Sequence, residues 1–107
     1  MAEFRTVARL EELPELGGKE VTVDGARICL FKHQGQVYAT AALCPHKGVP
    51  LAVGWVENGS VSCAMHGWEF DLKSGHCKNV PGQEVRTYEV KTHEGKVQLR
   101  LKEGEHP

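Results

Sequence analysis

The chain has 107 residues, of which 40% are hydrophobic and 25% charged, a composition typical of a globular domain rather than of a disordered segment. Thirteen Lys and Arg stand against 14 Asp and Glu, which gives a formal net charge of −1. This balance excludes the strongly basic footprint of a nucleic-acid-binding protein and a polybasic membrane surface, so we expect neither partner.

No apolar run approaches the roughly 18 residues of a membrane helix, and Met1–Arg5 lacks the apolar core of a signal peptide. We therefore predict a soluble, cytoplasmic protein that forms a single domain over residues 1–107. The cytoplasm keeps thiols reduced, so the four cysteines indicate metal or redox chemistry rather than a disulfide framework.

Short runs of alternating polarity, separated by turn dipeptides, are typical of antiparallel strands. A helical turn is expected at 10–16, where Pro14 limits its length. The predicted strands lie at 21–23, 28–32, 37–40, 55–57, 60–62, 85–92 and 96–101. Asn58-Gly59, between two of them, is the strongest hairpin signal in the chain. This spacing predicts an all-β fold, a small antiparallel sandwich or barrel.

Two stretches are predicted to be loops. Residues 41–54 contain two prolines and two glycines, too many strand breakers for a central strand, and residues 79–83 contain Pro81-Gly82. In the predicted strand 28–32, Cys29 and Phe31 share the face opposite Ile28 and Leu30.

Two cysteine–histidine pairs lie in or beside predicted loops. Cys44 and His46 form C-x-H, Cys63 and His66 form C-x-x-H, and 16 residues separate the pairs. Thiolate and imidazole are ligands that iron and zinc accept. The hairpin predicted between the pairs can return the second pair to the first, so the four residues are candidate ligands of one metal centre.

The mixed composition of each pair narrows the choice of metal. A zinc finger usually groups its cysteines together and its histidines together, whereas each pair here holds one of each. A two-iron cluster accommodates this pattern, because two thiolates can hold one iron and two imidazoles the other. A zinc-stabilised interaction module without a redox role remains the alternative.

With these residues the sequence resembles the Rieske [2Fe–2S] family, whose motif is C-x-H, a spacer near 16 residues, then C-x-x-H. The stretch 63–71 is similar to the second cluster loop of soluble Rieske-type ferredoxins, Ser74-Gly75 to the turn that follows, and Val80–Gly82 to the proline loop over the cluster. The resemblance spans roughly residues 3–101. It is strongest to ferredoxin components of bacterial ring-hydroxylating dioxygenases and to small subunits of assimilatory nitrite reductases.

The resemblance implies the Rieske fold, with a cluster-binding subdomain of two loops, and one [2Fe–2S] cluster per chain. Cys44 and Cys63 would bind the buried iron. His46 and His66 would bind the outer iron, which takes the electron.

In function, the resemblance implies an electron carrier rather than an enzyme. It would pass electrons from a flavoprotein reductase to a terminal oxygenase, a terminal reductase or another redox enzyme. A small subunit resident in a nitrite reductase-type complex is the second reading. Partner exchange is expected at the loops 44–49, 63–68 and 80–82.

Departures from the high-potential members of the family predict a low potential. Those proteins join the two cluster loops by a disulfide, where this chain has Val49 and Met65. They also donate hydrogen bonds to the cluster sulfurs from a serine and a tyrosine, where this chain has Trp68 and Phe70.

The remaining candidate residues are given structural roles. We expect Cys29 in the core, Cys77 as a packed or partly exposed thiol, and Trp55 as a packing residue. The other four histidines are expected to be ordinary surface residues: His33, His76, His93 and His106.

Overall fold

The computed structural model describes residues 3–45, 48–65 and 67–101. Within them lie nine strands: β1 Arg5–Arg9, β2 Gly18–Val23, β3 Ala26–His33, β4 Gln36–Ala41, β5 Trp55–Glu57, β6 Ser60–Ser62, β7 Glu69–Asp71, β8 Glu89–His93 and β9 Lys96–Arg100. Two single-turn 3₁₀ helices, Leu10–Glu12 and Leu51–Val53, accompany them. No helix in these described ranges has the length and apolarity needed to cross a membrane.

The strands form three antiparallel sheets of three strands each, in the orders β1-β9-β8, β2-β3-β4 and β5-β6-β7. Four hairpins have two-residue turns in which both residues take positive φ, the type I′ geometry that matches strand twist. Their turn dipeptides are Asp24-Gly25, Gln34-Gly35, Asn58-Gly59 and Glu94-Gly95. The predicted all-β fold is confirmed.

Strand β3 lies between two separate cores and buries both of its faces. Ile28 and Leu30 belong to a base core, and Cys29 and Phe31 belong to a site core. The base core comprises Ala8, Leu13, Val23, Ala26, Ile28, Leu30, Ala39, Val97, Leu99 and Leu101. The site core comprises Cys29, Phe31, Ala42, Cys44, Leu51, Val56, Val61, Cys63, Phe70, Leu72, Cys77 and Val85. The predicted alternation along β3, with Cys29 and Phe31 opposite Ile28 and Leu30, is therefore confirmed.

Several elements differ from the sequence predictions. Strands β1 and β7 were not predicted, and the helical turn expected at 10–16 is confined to Leu10–Glu12. The strand expected from residue 85 begins only at Glu89, because the preceding backbone bonds elsewhere: the Val85 N–H donates to the Gly75 carbonyl and the Tyr88 N–H to the Ala39 carbonyl.

The packing role predicted for Trp55 is wrong. Trp55 is 52% exposed, because its neighbour Val56 takes the inward position on β5. Strand side chains alternate between faces, so burying Val56 turns Trp55 outward.

His33 links the β2-β3-β4 sheet to the β5–β6 hairpin, which precedes Cys63. The Gly59 N–H donates to His33 Nε2 at 3.1 Å, across 26 residues of sequence. His33 was expected to be an ordinary surface residue, and this contact instead fixes the position of the β5–β6 turn.

Gly54, directly before β5, leaves no space for a side chain. A Cβ built there would lie 2.0 Å from the Ser62 carbonyl oxygen. Gly54→Ala should therefore push β5 and β6 apart. We expect the free energy of unfolding to fall by about 1–3 kcal/mol, the usual effect of overpacking. Urea denaturation would measure the change. The neighbouring exposed substitution Val53→Ala is the control, and equal stability of the two variants would contradict the packing described.

Candidate metal centre

Cys44 and Cys63 each begin a six-residue loop, and the two loops close in the same way. The Cys44 N–H donates to the Val49 carbonyl at 2.8 Å, and the Cys63 N–H donates to the Trp68 carbonyl at 2.7 Å. The fifth residue of each loop is a glycine with positive φ, Gly48 at 69° and Gly67 at 66°. This left-handed conformation suits glycine, which has no Cβ to clash with the backbone.

Both loop cysteines are buried, each with 1% of its surface exposed, and both belong to the site core. The two sequence-predicted thiol ligands, which stand 19 positions apart in the chain, therefore lie in the same buried core. The imidazole ligands are a different case. His46 and His66, as well as Lys47, lie outside the residues that the structure describes.

Backbone pairing on both sides holds the first loop in place. Leu43 and Pro50 form an isolated antiparallel bridge, and the Leu51 N–H donates to the Ala42 carbonyl at 2.8 Å. Leu51 is fully buried and opens the second 3₁₀ helix. The loop predicted from the strand breakers of this stretch therefore has paired ends, which the composition did not predict.

Asn79 fastens the second loop, a role that the sequence analysis did not assign. Its Oδ1 accepts the Glu69 N–H at 3.1 Å, and its Nδ2 donates to the Gly67 carbonyl at 3.0 Å. The Cys77 thiol also donates to Asn79 Oδ1 at 3.3 Å. One amide side chain therefore joins the loop of Cys63 to the segment that leads into Val80–Gly82. Its position directly before that proline loop was the available signal.

Asp71 at the end of β7 organises the turn that carries the chain to Cys77. Its Oδ2 accepts hydrogen bonds from the Ser74 N–H at 2.8 Å, the Ser74 hydroxyl at 3.0 Å and the Lys73 N–H at 3.1 Å. These donors favour the ionised carboxylate, the Ser74 backbone N–H most, and they lower the pKa of Asp71 despite partial burial. The Ser74-Gly75 turn predicted from the sequence is confirmed.

Two aromatic rings line the second loop and the strand that follows it. Trp68 is half-buried against the site core, and Phe70 is fully buried within it. Their ring centroids are 6.3 Å apart at an interplanar angle of 48°. Neither ring carries a hydroxyl group, so neither supplies a side-chain O–H donor at the second loop.

Cys29 lies in the core, as predicted. Burial, with a smaller contribution from the negative charge of Glu20, raises the pKa of its thiol to about 12. Since the thiolate is the reactive form, Cys29 should resist iodoacetamide at pH 8 in the folded protein and react after unfolding in guanidinium. Peptide mass spectrometry would measure both states. Rapid alkylation of Cys29 in the folded protein would contradict its assignment as a packing residue.

The residues present fit a cluster with mixed ligands. Two buried thiols lie on matched loops within one apolar core, and each loop also contains a histidine. The described part of the chain contains no group of three or more His, Cys, Asp and Glu that would compete as a metal site.

The family model for the Rieske [2Fe-2S] domain matches residues 3–93. The chain belongs to this family. Its cofactor is accordingly one [2Fe–2S] cluster, and the alternative of a zinc-stabilised module is wrong. The Rieske fold expected from the sequence is likewise confirmed.

Two relatives of this Rieske domain are named as ferredoxins of dioxygenase systems. The ferredoxin component of a naphthalene 1,2-dioxygenase system from Pseudomonas aeruginosa is 33% identical over 93 residues, covering 86% of this chain and 89% of the relative. The solved ferredoxin of carbazole 1,9a-dioxygenase from Nocardioides aromaticivorans IC177 is 25% identical, with a TM-score of 0.83, and the match covers 92% of this chain and 98% of that one.

A third relative comes from another redox system. A Mycobacterium tuberculosis structure described as the small subunit of an NADH-dependent nitrite reductase is 25% identical, with a TM-score of 0.86. The match covers 94% of this chain and 96% of that one. The Rieske domain described here is thus an electron carrier rather than a catalytic enzyme.

Proposed function

We propose that this protein is a soluble one-electron carrier of the cytoplasm that takes electrons from a flavoprotein reductase and delivers them to a terminal oxygenase. The observation that carries the proposal is its 33% identity, over nearly the whole length of both chains, to a ferredoxin component of a dioxygenase system. The cytoplasm suits this chemistry, because cluster thiolates must remain reduced. The whole chain, residues 1–107, would form the single carrier domain.

We assign the cluster ligands as Cys44 and Cys63 on the buried iron, and His46 and His66 on the outer iron. The burial of both cysteines and the equivalent closure of their loops support this assignment. When bound, the cluster supplies a one-electron couple whose potential is raised by imidazoles in place of two thiolates. The surrounding site core keeps water away from the thiolate side.

Partner exchange would take place at the histidine end, formed by the loops 44–49, 63–68 and 80–82. Met65 in the second loop is 49% exposed, and Pro81 and Gly82 in the third are also exposed. Exposed apolar and backbone surface close to a cofactor suits brief contacts between redox proteins.

A second candidate is a small Rieske subunit resident in a nitrite reductase-type complex. The Mycobacterium tuberculosis structure, with its TM-score of 0.86, favours it. A free carrier would elute from native cells as a separate protein. A resident subunit would instead copurify in fixed ratio with a large subunit.

Reconstitution tests the proposed carrier function. The holoprotein would be combined with the flavoprotein reductase and the ring-hydroxylating oxygenase purified from the same cells, and product formation driven by NADH would be followed. We expect turnover to require all three proteins and to rise with carrier concentration until it saturates. Equal turnover without the carrier, or a holoprotein that the reductase leaves oxidised, would overturn the proposal.

A further inference from the structure

Three large apolar side chains are exposed on neighbouring segments of the chain. Leu16 is 69% exposed, Val53 65% and Trp55 52%. The Val56 N–H donates to the Leu16 carbonyl at 2.8 Å, which places Leu16 alongside β5, and Val53 precedes Trp55 by two residues. Single exposed apolar residues are normal on a protein surface, whereas a contiguous group marks an interaction site. We call this group the 16–53–55 patch.

The charged residue closest to Trp55 in sequence is acidic. Residues 48–65 contain no Lys or Arg, and their one charged residue is Glu57, which shares the outer face of β5 with Trp55. Glu57 is exposed and has no ion-pair partner among the residues that the structure describes. On the other side of the patch, Glu15 is 3.0 Å from the Lys32 ammonium. The surface around Trp55 is therefore apolar with an unbalanced negative edge.

The β5–β6 strand pair connects the patch to the candidate metal centre. Trp55 pairs directly with Ser62 across the β5–β6 ladder, and Ser62 precedes Cys63. A protein seated on Trp55 would thus lie one strand away from the loop that carries a proposed ligand.

We propose that the 16–53–55 patch docks a redox partner protein whose contact surface is an apolar hollow bordered by Lys or Arg. Trp is the residue type most enriched among interface residues that dominate binding energy, and a cationic border complements Glu57. A second copy of this chain fits less well. A two-fold symmetric contact would pair the patch with itself and would place the Glu57 carboxylates of the two copies near each other. This inference rests on the proposed carrier function.

The experiment measures the KM for the holoprotein as the varied substrate, separately with the purified reductase and with the purified oxygenase. Trp55→Ala should raise the KM at least about tenfold with one of them and leave kcat unchanged, since docking is lost and the chemistry is retained. Glu57→Lys should raise the same KM more than Glu57→Gln does. Both effects should accompany unchanged cluster spectra and unchanged melting temperatures.

Glu94→Lys, an exposed charge reversal in the β8–β9 turn, is the matched control and should leave both KM values unchanged. KM values of the Trp55 and Glu57 variants within twofold of wild type with both enzymes would overturn the docking proposal while the carrier function stood. A wild-type dimer that Trp55→Ala converts to monomer, measured by analytical ultracentrifugation, would assign the patch to a second copy and also overturn it. If wild type exchanges electrons with neither enzyme, the carrier function fails and the docking proposal fails with it.

Discussion

Cys63→Ala should yield a protein without its native cluster. Removing one of two thiolates from the buried iron leaves an open coordination position in a largely apolar core. Cys44→Ala, His46→Ala and His66→Ala should likewise abolish or severely perturb the cluster. Iron and acid-labile sulfide content, visible absorption and the EPR spectrum of the reduced protein would measure the loss.

Cys29→Ala and Cys77→Ala provide matched controls, because both residues are buried cysteines of the same core. Each should retain full iron and sulfide. Cys77→Ala also loses the hydrogen bond to Asn79, so a modest decrease in stability, about 1 kcal/mol, is expected without cluster loss. An unchanged native spectrum in Cys63→Ala would refute the ligand assignment.

The midpoint potential should lie near the bottom of the family range, on the order of −150 mV rather than +300 mV. Val49 and Met65 cannot form a disulfide between the loops, and neither Trp68 nor Phe70 can donate a hydroxyl hydrogen bond. With fewer donors, the negative charge added on reduction is less stabilised. Protein-film voltammetry would measure the potential, and a value well above zero would show that the surroundings of the cluster supply donors in another way.

Phe70→Tyr should raise that potential. Phe70 is fully buried in the site core, and a hydroxyl there can add one donor to the charged cluster. Only the strengthening of that hydrogen bond on reduction shifts the potential, so a bond worth about 1.5 kcal/mol gives a rise of up to roughly 65 mV for one electron. Phe70→Leu changes the volume without adding a donor and is the control. Equal potentials for the Tyr and Leu variants would contradict the hydrogen-bond explanation.

The parts of the fold that could be predicted are those encoded by local geometry. The Asn58-Gly59 hairpin was predicted correctly because two adjacent residues with positive φ are a short-range requirement. Strand β1 was missed because its partner β9 lies at the other end of the chain, so its sequence alone carries little strand signal. Trp55 was misjudged because the sequence does not say which face of a three-residue strand is covered.

The residues of the candidate site fall into the same two groups: those that local sequence predicts and those whose role depends on long-range folding. The thiol ligands could be predicted from spacing, and their burial in one core supports that prediction. The roles of Asn79 and His33 could not, because each depends on two backbone segments that meet only after folding. The histidine ligands remain predictions from the motif.

The position of strand β3 between the two cores affects how cooperatively the protein unfolds. Its two faces contribute to different cores, so neither half of the molecule can open without stripping apolar contacts from the same strand. The two halves should therefore melt in one transition even though their sheets are separate. In native-state hydrogen exchange, the amides of Ile28, Cys29 and Leu30 should exchange only through global unfolding, whereas the edge of β5 opens through smaller fluctuations.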